Sequence, residues 1–204
     1  SSSLENGKTV IGVVIARDNA TSTDKLLPAE CTHGLVMVLG ESSGNWSSEY
    51  SAGYVNDWAL PNGYQNTTGT YYDGGAWSYV KNEYAKLLLG YNNTMALKGY
   101  IAQNAYSSGI IEALTAYSIQ KPASVSDLYI PSISEMELIY SNVGVINASL
   151  QAAGGSVLEN EAYWTVSENE RSQANAATVN PMTGSLQGGK LKSATARVRF
   201  IFAF

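Results

Sequence analysis

The chain holds one cysteine, Cys31, and one histidine, His33, in 204 residues. A lone thiol excludes an internal disulfide framework. One Cys with one His cannot supply the three or four ligands of a zinc site. Charge is also scarce, at 14% of residues against a typical quarter. The 12 basic and 17 acidic residues leave a net charge of −5, which argues against nucleic acid as a partner. No Lys or Arg lies between Lys25 and Lys81. No apolar run approaches the ~20 residues of a membrane-spanning helix. The start, residues 1–8, is polar without a hydrophobic signal segment and reads as a linker or a processed end. No internal repeat is visible.

Against these absences stand a 45% hydrophobic content, enough to bury a sizeable core, and abundant Gly, Ser, Thr and Asn. That profile suits secreted or cell-surface β-rich proteins. Thr9–Ala16 and Gly34–Gly40 are apolar runs of strand length. Thr195–Phe204 alternates polar and apolar residues and predicts one half-exposed strand that reaches the terminus. Terminal strands lying side by side, with Val13 beside Val198, follow as an expectation. Helices are expected over Tyr79–Leu89, from a cap at Asn93 or Thr94 through Ile101, and from a cap at Ser107 or Ser108 through Tyr117. Val143–Ala153 predicts a helix closed by Gly154-Gly155. Tyr163–Val166 and Ala174–Val179 read as strands, and Gly184–Gly189 as a turn.

Leu128–Tyr140 carries the clearest local signals. Pro131 ends a short extended piece, and Ser132 and Glu135 have the S-x-x-E spacing of a capping box. Met136, Ile139 and Tyr140 then give the helix one apolar face. These features describe scaffold.

Residues 41–79 differ in character, with nine of the chain's 21 aromatics among Gly, Asn and Ser and no clean period. They read as long loops, an aromatic insertion in the domain. Trp46, Trp58 and Trp77 are candidate stacking platforms for a sugar, and the competing reading is that these rings pack on one another.

Gly40-Glu41-Ser42-Ser43-Gly44 matches the nucleophile elbow of α/β-hydrolases, but the only histidine lies upstream, where that fold needs it downstream. The match is a coincidence of a Gly/Ser-rich segment. Glu159/Glu161 and Glu168/Glu170 bracket Tyr163-Trp164 and could serve as a glycosidase acid and base or as calcium ligands. Solvated charges at strand ends are the plainer reading. No catalytic residue, cofactor or metal is assigned.

LYIPSISEMELIYSN, INASLQAAGG, AYWTVSEN and the final RVRFIFAF, with the opening TVIGVVIARDN and HGLVMVLGE, resemble the bacterial "major paralogous domain" surface proteins in that order along nearly the whole chain. Departures are Leu128 where the family has Trp, Thr165-Val166 after Tyr163-Trp164, and Phe200-Ile201-Phe202 near the end. The resemblance implies an α+β, C-type-lectin-like fold with small antiparallel sheets, flanking helices and long loops over 9–204. It also implies exposure on the outer surface of a Gram-negative bacterium, with any lipid or fibre attachment outside this chain. In such proteins the segment Glu168–Lys190 faces the ligand. It would present Glu168, Asn169, Arg171, Gln173 and Asn175 as adaptable polar arms, with Trp164 below as anchor. The same segment also reads as a plain polar hairpin. The function so implied is recognition of a glycan or protein by an adhesin. The alternative is a structural or tip subunit of a surface fibre, and a glycoside hydrolase is a distant third.

Overall fold

The computed structural model describes residues 8–18, 21–48, 53–73 and 78–204. They form an α+β architecture of two sheets. In the smaller, β1 (Gly12–Arg17), β2 (Gly34–Val38) and β10 (Ile201–Ala203) run antiparallel in the order β1-β2-β10. The terminal strands therefore share a sheet, but β2 lies between them. Ile201 faces Met37 and Val13 faces Met37 from the other side. The expected pairing of Val13 with Val198 is wrong, since Val198 stands opposite Ser42 in the larger sheet.

The larger sheet places β3 (Ser42–Asn45), β9 (Thr195–Val198), β6 (Tyr163–Asn169), β4 (Thr68–Asp73) and β5 (Ser78–Lys81) in that order. A hairpin of β7 (Asn175–Val179) and β8 (Leu186–Leu191) joins it through β6. All seven residues of β6 are buried.

The C-terminal run is two strands because Arg199 turns inward between them. Its guanidinium donates to the carbonyls of Leu39 (3.2 Å), Gly40 (2.8 Å), Ser156 and Val157 (3.1 Å), and the residue is fully buried. Beyond it, side chains alternate between two cores, as strand geometry dictates. Phe200 and Phe202 join Trp46, Leu97, Ile110 and Trp164, while Ile201 and Ala203 join Leu35, Met37, Tyr129 and Met136.

The helices follow local signals where these exist. Ser108 accepts the N–H of Ile111 (3.4 Å) and starts α3 (Gly109–Ala116). Ser132 and Glu135 form the reciprocal box at the start of α4 (Ile133–Ser141), with the Ser132 N–H 2.6 Å from Glu135 Oε2. Gly154, at φ 73°, follows α5 (Val143–Ala152), where the left-handed conformation favours glycine.

Distant partners decide the rest. α2 spans Gly90–Asn104, so Asn93 and Thr94 are buried inside the helix and do not cap it. Asp24 caps it from afar, accepting the N–H of Asn92 at 2.7 Å. The helix expected over Tyr79–Leu89 is instead β5 followed by a 3-10 turn, Glu83–Lys86, capped by Asn82. The Tyr79 ring lies over Gly188 and Gly189 of β8, where an added Cβ would come within 2.0 Å of its hydroxyl at Gly189. The turn expected at Gly184–Gly189 is thus mostly strand. The aromatic insertion likewise holds a short helix, α1 (Val55–Ala59), and β4. No helix among the described residues is long and apolar enough to cross a membrane.

Truncating 200–204 removes Phe200, Ile201 and Phe202, each at most 3% exposed, from both cores. At roughly 1.5–3 kcal/mol per large side chain, the loss rivals a domain's whole stability. The truncated chain is expected to lack a cooperative melt by circular dichroism, and a parent-like melt would contradict this.

Glu135 is enclosed by Tyr129, Ser132 and Gly90, and burial pushes its carboxyl up to about 7. Burial likewise raises Asp24. A raised pKa means that the folded chain keeps the Glu135 proton when the unfolded chain has released it. This stabilisation is complete below about pH 4.5 and is lost as pH rises through about 7. The unfolding free energy of the parent, from urea denaturation, should fall relative to Glu135→Gln across that window by on the order of 3 kcal/mol. Parallel pH profiles would contradict it.

Candidate functional site

Glu168, at the end of β6, ties together the two segments that the sequence leaves without a period. It is fully buried, and its carboxylate accepts from Lys192 Nζ (2.5 Å), Thr67 Oγ1 (2.9 Å) and the backbone N–H groups of Val55 (3.1 Å) and Asn56 (2.9 Å). The last two are orphan donors of the first turn of α1, so a negative group there both caps the helix and matches its dipole. Lys192 is 2% exposed, and its ammonium lies 4.6 Å from the Trp46 ring centroid. The Lys192 carbonyl accepts from Trp46 and Ser47. A buried ion pair is tolerated when further hydrogen bonds satisfy its lone pairs, as here.

This carboxylate fixes α1, which carries Trp58. The indole is half-buried, donates to Gln103 Oε1, and packs 5.5 Å from Tyr64 at 32° and 6.3 Å from Tyr100 at 68°. Tyr106 lies 6.0 Å from Tyr100. A Cβ at Gly99 would come within 2.4 Å of the Trp58 ring, so the seat requires glycine. Burial pushes the Tyr100 hydroxyl up to about 12. Asn62 and Gln103 stand exposed at the rim.

A second group forms just past β6. The Arg171 guanidinium lies 4.6 Å from the Tyr71 ring centroid and 3.5 Å from the Tyr72 carbonyl, and Tyr72 packs 5.4 Å from Tyr79. Arg171 and Gln173 are exposed.

The residues singled out from sequence therefore divide. Trp58, Arg171 and Gln173 reach the surface. Trp46 and Trp164 do not, because their indole N–H groups donate to the carbonyls of Thr165 (3.0 Å) and Gly44 (2.9 Å) inside the core. Trp46 is thus no stacking platform. Glu168 is no exposed arm. Neither is Asn169, which is buried with its amide donating to the Gly188 carbonyl (3.0 Å). Asn175 is half-buried in β7, and its Oδ1 has no hydrogen-bond partner among the described residues. Trp77 lies outside the described residues.

Sequence reasoning missed Lys192 as the partner of Glu168, and nothing near it signals burial. It also missed Glu41, which accepts from Tyr163 Oη (2.6 Å) and Arg197. Arg197 bridges Glu41 to Glu161 (2.8 Å) and lowers the Glu161 carboxyl. The paired glutamates are thus engaged separately: Glu168 with Lys192, Glu161 with Arg197, and Glu170 with Asn82 (2.8 Å). Ser42 sits within β3, opposite Val198, and not at a strand-to-helix turn, which removes the elbow geometry. Among the described residues, no group of three or more His, Cys, Asp or Glu could hold a metal ion.

No protein-family model matches the chain, and neither does any curated protein. Among solved structures, the fold is similar to that of a fimbrial protein from Bacteroides ovatus ATCC 8483, with a TM-score of 0.77 at 23% identity. The match covers 95% of this chain and 44% of that one. This chain therefore spans less than half the length of the protein it resembles.

Removing one member of the buried pair leaves the other uncompensated. Lys192→Met should cost about 3–5 kcal/mol, and Glu168→Gln with Lys192→Met together should cost less than Lys192→Met alone. Urea denaturation of the three proteins checks this. A single variant no less stable than the double would mean that the pair is not closed from water.

Proposed function

We propose that this chain is a domain of a bacterial surface-fibre protein, a tip or structural subunit whose contacts are made with other proteins. The observation that carries this reading is the similarity, over 95% of the chain, to a fimbrial protein. Because the chain spans 44% of that protein's length, the fibre role would belong to a larger whole. The ordered motifs resembling major paralogous domain proteins agree with it. They support a C-type-lectin-like unit over residues 9–204, exposed on the outside of a Gram-negative cell. The low charge and the Gly/Ser/Thr/Asn-rich composition suit that setting.

A second reading, recognition of a neutral glycan, is favoured by one observation. Trp58 is half-buried on a bed of tyrosines, with the amides of Asn62 and Gln103 at the rim and no cation between Lys25 and Lys81. A ring face flanked by short polar arms is what a sugar's C–H face and hydroxyls need.

Gold-labelled antibody against the chain, applied to intact cells that produce it, should mark fibres or their tips. Absence of surface label on intact cells whose lysates contain the chain would contradict the proposal. On a glycan array, binding that falls at least about tenfold in Trp58→Ala with the fold intact would favour recognition over assembly. Unchanged binding would remove Trp58 from it.

A further inference from the structure

The chain leaves α3 at Tyr117 as an extended strap, residues 117–122, pinned at its start. The Tyr117 hydroxyl accepts the N–H of Gly40 (2.8 Å), and its ring meets Phe200 edge-on at 5.4 Å and 74°. Between this strap, α2 and residues 127–128 lies a hollow of about 320 Å³. Two lysines line it, Lys98 from α2 and Lys121 from the strap. Lys121 is 3.4 Å from Asp127, whose side chain is largely exposed. Lys98 is half-buried and has no ion-pair partner among the described residues. In a chain of net charge −5, two lysines and one aspartate lining a single hollow is a local reversal of sign. A half-buried lysine without an ion-pair partner favours an incoming anion.

The remaining lining narrows the ligand. Leu114 and Leu128 are buried and supply an apolar floor. Thr115 and Ser118 are exposed; the Thr115 hydroxyl donates to the Ile111 carbonyl (2.8 Å) and keeps its lone pairs for a donor from the ligand. Lysine offers a point charge without the planar fork of arginine, so the site asks for negative charge and not for a fixed bidentate geometry. The volume is at the small end of ligand pockets, room for one ring and not a chain. A neutral hexose would leave Lys98 unanswered, and a bare anion would leave the floor and the hydroxyls unused. We propose that this hollow binds a carboxylate-bearing monosaccharide, a hexuronate, with Lys98 and Lys121 holding the carboxylate and Thr115 and Ser118 meeting ring hydroxyls. Its lining residues are not those that seat Trp58, although both sites draw on α2, and it does not depend on the fibre reading.

The test is an NMR titration of the isotope-labelled chain with glucuronate, with glucose and with acetate. Glucuronate should give saturable shifts at 98, 114–121 and 127–128, with affinity at least about tenfold above glucose and acetate. Lys98→Met and Lys121→Met, each checked for parent-like circular dichroism, should each weaken glucuronate by about tenfold or more, while Trp58→Ala leaves it unchanged. Glucose binding as well as glucuronate would overturn the assignment, as would acetate binding as tightly. Parent-like affinity in both lysine variants, or no saturable shift with glucuronate, would overturn it equally.

Discussion

The Glu168 carboxylate and the Lys192 ammonium, both closed from water, set the arrangement of everything at the far end of the larger sheet. Ions of this kind are costly to desolvate, so the surrounding chain must present donors and acceptors in fixed places. Val55, Asn56 and Thr67 do so on the carboxylate side, and the Trp46 ring does so on the ammonium side. The result joins four stretches distant in sequence: the chain after β3, the start of α1, the approach to β4, and the end of β8. Without that carboxylate, α1 has only five residues and no side-chain cap at Tyr54. Helices so short do not persist alone. The position of Trp58 therefore depends on a group that never touches solvent.

A similar logic governs the other end of the molecule. Arg199 satisfies the carbonyls of Leu39, Gly40, Ser156 and Val157 and so ties the larger sheet to the smaller one at the break between β9 and β10. Burial lowers its pKa, and the nearby Glu41 and Tyr163 act against that. The strand beyond it contributes side chains to both cores, which is why the last residues weigh so heavily in the fold.

What could be read from sequence was whatever a few neighbouring residues decide. The Ser132–Glu135 box, the Ser108 cap and the Gly154 terminus each need only a turn of chain, and each is where the spacing places it. Asp24 capping α2 across 68 residues has no such local trace. Nor does the seat of Tyr79 on Gly188 and Gly189, which turns a helical pattern into a strand. The tryptophans illustrate the same limit for the site. Trp46 and Trp58 both read as loop rings, yet Trp46 donates to a core carbonyl and Trp58 reaches the rim. Glu168 reads as a surface charge because nothing adjacent to it or to Lys192 reveals that they meet. Conversely, Arg171 and Gln173 are exposed as their turn-rich setting suggests.

The central claim is that a buried carboxylate holds α1 in place, and amide hydrogen exchange of Val55 and Asn56 tests it most directly. Their N–H groups are the donors to Glu168, in a segment that otherwise has the composition of a loop. Both should exchange only through the same opening that exposes the β6 amides, with matching free energies from native-state exchange. Exchange of Val55 and Asn56 at loop rates, while β6 stays protected, would contradict it.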